Sequence, residues 1–208
     1  MIYLATIIDE VEILDYLLNH EVYKEYCLDL KPYPKEYHYD INKVKAVVLG
    51  ADPSNNNEEL EYVFGLEEKE DSKYFRMTLG NLKEVGLKLE QLYVQNLCKN
   101  YFKYETTEND KWSEIAELWV PCLRKELDSL FDKSIPVFIT AGKIRDVLCY
   151  DVKKGKDYKS NYEKAEFIMP EENKLGRIII PLYRHWNYKL SEFEWKDYRD
   201  KIYYTFND

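Results

Sequence analysis

Val44-Lys45-Ala46-Val47-Val48-Leu49-Gly50, followed at once by Ala51-Asp52-Pro53-Ser54, is the stretch on which the fold turns. Its first part is short, rich in Val and Leu, and lacks the polar/apolar alternation of a half-exposed strand, so it reads as a strand buried on both faces. Three more runs have the same character: Leu92 to Leu97 (LYVQNL), Val137 to Thr140 (VFIT) and Arg177 to Leu182 (RIIIPL). Helical patterns separate them. Between Trp112 and Phe131, Ile115, Leu118, Trp119, Cys122, Leu123, Leu127 and Leu130 recur at spacings of three and four, with Pro121 expected to kink the helix or mark its restart. Phe75 to Leu89, Ile144 to Tyr150 and Glu12 to Leu28 read as further helices. Ser191 to Tyr204 is a terminal one, with Ser191 as N-cap and Glu194 completing a capping box. Strands alternating with helices imply βαβ units. The expected fold is therefore α/β: a three-layer α/β/α sandwich around a four-stranded, mostly parallel sheet.

Ligands in such folds bind just beyond the carboxyl ends of the strands. Each strand here runs into a polar segment at that end: Gly50 to Ser54, Asn96 to Asn100, Ala141-Gly142-Lys143, and Tyr183-Arg184-His185-Trp186-Asn187. An Asp, an Asn and a His from separate strands are thereby expected to converge on one pocket. The whole chain, 1–208, reads as a single domain with an N-terminal helical region (1–40) and a polar surface insertion (151–174) between the third and fourth strands.

Composition narrows the classes. Apolar residues make up 45% and charged residues 33%, which excludes a disordered or collagen-like chain, and no apolar run reaches membrane-spanning length. Cys27, Cys98, Cys122 and Cys149 are 71, 24 and 27 residues apart, without the paired spacing of a zinc site. Few cysteines and no secretory leader point to the reducing cytoplasm. The net charge of −9 disfavours polyanion partners, since phosphate binding draws on Lys and Arg. The distribution is uneven, however: Ser54 to Asp71 holds seven acids against Lys69 alone, whereas Lys174 to Tyr203 carries seven Lys or Arg against four acids. Lys143 follows Gly142, but no Gly-x-x-x-x-Gly-Lys run accompanies it, so a nucleoside triphosphate is not expected.

VVLGADPS (Val47 to Ser54), LYVQNLCKN (Leu92 to Asn100), VFITAG (Val137 to Gly142) and IIIPLYRH (Ile178 to His185), in this order, resemble the uracil-DNA glycosylase superfamily. Its members carry a Gly-x-Asp-Pro or Gly-Glu-Ala-Pro loop, then an Asn, a Gly and a His at successive strand ends. The resemblance spans about Val44 to Trp186 and includes Phe64 near the place of the family's stacking Phe. It implies that Asp52 positions water and offsets oxocarbenium charge, and that His185 donates to the departing base. It further implies that Asn96 reads the base edge, Phe64 stacks on it, and Ala51 and Ser54 line the substrate site.

The chain also departs from the family pattern. Trp186 and Asn187 stand where Pro-Ser commonly follows the His, Ser54 replaces a bulky Tyr, and Phe64-Gly65-Leu66 reverses the usual order. No iron-sulfur cluster, metal or other cofactor is expected from these cysteines. Each residue also has a structural reading: Asp52-Pro53 as a turn opener, Asn96 as a loop tether, Phe64 as core, His185 as a backbone-bonded His. His20 and His38 receive the structural reading only. The functional expectation is a divergent DNA base glycosylase, an N-glycosyl hydrolase if the chain is an enzyme. The alternatives are a non-catalytic module of the same fold binding a nucleobase-like small molecule or a protein, and a hydrolase of free nucleosides or nucleotides.

Overall fold

The computed structural model describes residues 9–29, 33–53, 59–66, 73–150, 166–182 and 192–207. The main sheet has five strands: β2 (Tyr37–His38), β3 (Ala46–Gly50), β4 (Leu92–Asn96), β6 (Val137–Ile139) and β7 (Ile179–Pro181), in the spatial order β2-β4-β3-β6-β7. β3, β4, β6 and β7 are mutually parallel, as the four apolar runs require, and β2 adds an antiparallel edge. The expected four-stranded sheet thus gains one strand, from a segment with too few residues to show a period. β1 (Cys27–Leu28) and β5 (Tyr101–Phe102) form a separate antiparallel pair.

Every residue of β3, β4, β6 and β7 is buried, so both faces of the sheet are covered. α1 (Glu10–Asn19) packs on α3 (Trp112–Leu130), which packs on α4 (Gly142–Leu148). α2 (Lys73–Glu84) is joined instead to α5 (Glu192–Asn207), where Trp195 Nε1 donates to Glu84 Oε2 at 2.7 Å.

Helix ends follow local chemistry. Asp9 caps α1 by accepting from Val11 N at 2.8 Å, and α1 stops at Asn19 because His20 turns extended, well short of the expected Leu28. The N-terminal region is accordingly part helix and part strand. His20 rests between Tyr16 and Tyr23 (centroids 5.0 and 4.8 Å), in keeping with its structural reading. α2 ends before Gly86, whose φ of 84° reverses the chain so that Leu87 N reaches Leu82 O. α3 runs unbroken through Pro121, because Ile115, Trp119, Cys122, Leu123 and Leu127 keep one face buried on either side of it. Ser191, the expected cap of α5, lies outside the described residues, as do residues 151–165 of the expected insertion. The rest of that span is not loose surface: Ile168 bridges to Ile179, and Asn173 is buried, donating to Met169 O and Arg177 O.

Two buried polar groups fix the helices to the sheet. Arg177, fully buried, donates to Leu127 O (2.9 Å), Phe131 O (2.8 Å) and Asp132 O (2.5 Å), tying the end of α3 to the segment that enters β7. Lys99, just beyond β4, bridges Glu126 of α3 at 2.7 Å and Glu10 of α1 at 3.0 Å. Tyr93 and Gln95, on one face of β4, donate to the other Glu126 oxygen at 2.6 and 3.1 Å. No helix among the described residues is long and apolar enough to cross a membrane.

Candidate functional site

Parallel registry brings the strand ends to a common rim. Gly50 pairs with Asn96, Leu49 with Ile139 and Ile139 with Pro181. Backbone bonds extend the alignment past the strands: Leu97 N to Gly50 O, Cys98 N to Ala51 O, Thr140 N to Leu49 O and Leu182 N to Ile139 O. The chain leaves β3 toward β4 on one side and returns to β6 on the other, so the crevice of this sheet opens at the end of β3, where Asp52 stands.

The Asp52 carboxylate is held from one side. Thr106 Oγ1 and Trp112 Nε1 both donate to Oδ2, each at 2.7 Å. Among the described residues none donates to Oδ1. Burial, only partly offset by those two donors and by Lys143, pushes the Asp52 carboxyl up to about 6, a value suited to exchanging a proton near neutrality. Trp112 opens α3 and is fully buried, which fixes its indole N–H. Lys143, in the first turn of α4, donates to Thr106 O and more distantly to Asn109 O (3.5 Å), and lies 5.9 Å from the Trp112 ring centroid.

A second group surrounds Gly50. A Cβ there would lie 2.5 Å from Phe64 Cζ and closer still to Asn96 Oδ1, so only glycine admits this ring and this amide together. Asn96 is 2% exposed, and its backbone N–H donates to Gln95 Oε1 at 2.9 Å. Phe64 sits in a 3-10 turn (Val63–Gly65) at φ 61° and ψ 8°, a left-handed conformation that costs a non-glycine residue about 1 kcal/mol or more. Its half-buried ring packs on Phe75 at 5.1 Å. Strain of this kind persists where surrounding structure holds a ring in a particular place.

Of the residues expected from sequence, Asp52, Ala51, Asn96 and Phe64 occupy one rim, with Ala51 buried in the turn between Gly50 and Asp52. His185 and Ser54 lie outside the described residues, as do Asn55, Asn56 and Asn57. Asn100, from the same polar segment as Asn96, is structural: it accepts from Trp119 Nε1 at 2.8 Å. Thr106 and Trp112 were not foreseeable as partners of Asp52, because their meeting depends on where the loop after β5 crosses the rim. Lys143 carried one signal, its place directly after the third strand. No group of His, Cys, Asp and Glu among the described residues is arranged to hold a metal ion. The chain matches no model of a known protein family and no curated protein sequence.

Proposed function

We propose that this chain is a divergent DNA base glycosylase of the uracil-DNA glycosylase-like three-layer fold, hydrolysing the N-glycosidic bond of uracil or a related base. The observation that carries the reading is the gathering of Asp52, the Asn96 side chain and the half-buried Phe64 ring, held in a left-handed turn, at one rim of the sheet. An Asn amide offers one acceptor and two donors, the complement of a pyrimidine edge that presents a carbonyl and an N–H side by side. A neighbouring ring supplies the stacking surface that an extruded base needs.

The chemistry then falls to Asp52. Water held at Oδ1 attacks the sugar C1′ as the C1′–N bond breaks, the bonding electrons leave with the base, and the proton of the attacking water passes to the carboxylate. His185 donates to the oxygen of the departing base, a role resting on the resemblance. Base release from uracil-containing oligonucleotides, single and double stranded, tests the reading. Release by the wild type that is lost in Asp52→Ala and His185→Ala supports it, and intact DNA after prolonged incubation removes it.

The net charge of −9 and the acidic Ser54 to Asp71 stretch favour a second reading, a non-catalytic module binding a nucleobase-like small molecule or a protein partner. That reading expects no salt-dependent DNA affinity. Tight binding in a filter titration that weakens steeply with added salt counts against it.

A further inference from the structure

We propose that Thr106, Trp112 and Lys143 are positioning residues for Asp52: the two donors immobilise Oδ2 so that Oδ1 alone meets water, and the ammonium favours the ionised carboxylate. The inference deepens the glycosylase reading and rests on it only for the identity of the reaction.

The geometry is specific. Two neutral donors from different positions, a hydroxyl in the loop after β5 and an indole at the start of α3, converge on a single oxygen at the same 2.7 Å. The donors are themselves held: Trp112 is fully buried, and the Thr106 backbone is tied to Lys143 through its carbonyl. Lys143 is not spent in an ion pair among the described contacts. Its ammonium is seated on two backbone carbonyls and near an aromatic ring, which fixes a positive charge beside the carboxylate without neutralising it.

Among the described residues, the other charged groups acting here are acidic. Glu105 acts on Asp52 in the opposite sense, and Asp146 acts on Lys143. The neighbouring Cys98 thiol is pushed up by its own burial and by Asp52, so it carries no charge in this setting. Among the described residues, Lys143 is therefore the cation whose removal should be felt at Asp52.

The test is a pH titration of the full-length protein followed by the Asp52 carboxyl carbon and the Trp112 indole N–H in NMR spectra. The indole resonance is expected to move with the carboxyl midpoint, a coupling that a merely structural tryptophan would lack. Lys143→Met should raise that midpoint, by less than loss of either donor does, and Lys143→Arg should bring it back. Thr106→Val should raise it as well, by removing a donor to the ionised form. A folded Lys143→Met protein with an unmoved midpoint overturns the proposal, as does an indole resonance that ignores the titration. Should the wild type release no base while the midpoints move as stated, the glycosylase reading fails and the positioning role stands.

Discussion

Two carboxylates in this molecule have opposite surroundings. Glu126 is neutralised: Lys99 meets one oxygen at 2.7 Å, Tyr93 and Gln95 meet the other, and the same ammonium also reaches Glu10. Among the described residues, Asp52 receives two neutral donors on one oxygen, while Lys143 leans on backbone carbonyls. The first arrangement saturates a charge and ties α1 to α3 and β4. The second leaves, among the described residues, one carboxylate oxygen without a donor at the rim. A fully partnered carboxylate serves the fold, and one with an unoccupied oxygen and a raised proton affinity is suited to chemistry.

The contrast can be broken at either end. Asp52→Asn keeps an oxygen for Thr106 and Trp112 but removes the charge. Base release is expected to fall by about 10²–10⁴-fold, measured as single-turnover cleavage of a uracil-containing oligonucleotide. Lys99→Met should leave the Asp52 titration in place but strand two carboxylates, at a cost of about 3–5 kcal/mol in urea unfolding. The two substitutions thus separate activity from stability.

The same Asp52→Asn change is expected to stabilise the protein by about 1–3 kcal/mol at pH 7.5, because the native state disfavours the ionised form. The sign follows from proton counts. Between about pH 4 and pH 6 the native carboxyl holds its proton more firmly than the unfolded one, so wild-type stability falls as pH rises through that window and then levels off. The Asn variant should lack that decline in thermal melts across the window, and base release by the wild type should fall as pH drops below about 6. An effect of similar size and opposite sign is expected at Gly50. Gly50→Ala should cost about 1–3 kcal/mol as Phe64 and Asn96 move apart, read by unfolding together with a changed Phe64 ring spectrum.

The four parallel strands were legible in the sequence because each is a short, mainly apolar run without polar alternation, the pattern of strands covered on both faces. Asp52 and Asn96 were legible for the same reason, since Asp52 follows the carboxyl end of such a run and Asn96 closes one. β2 was not, because two residues at a sheet edge carry no period, and the end of α1 depends on a turn at His20 that composition does not mark. Trp112 read as the apolar start of a helix. Its polar edge matters only because the crossover after β5 delivers that edge to Asp52, a long-range placement that no local pattern encodes.

α3 can be viewed as a strut. Its 19 residues span about 28 Å at the helical rise of 1.5 Å per residue. One end is bolted by the Arg177 guanidinium, and the other presents the indole that grips Asp52. Loosening the bolt should therefore be heard at the opposite tip: damage around Arg177, remote from any substrate, would register as a slackened grip on the reacting oxygen before the domain itself came apart.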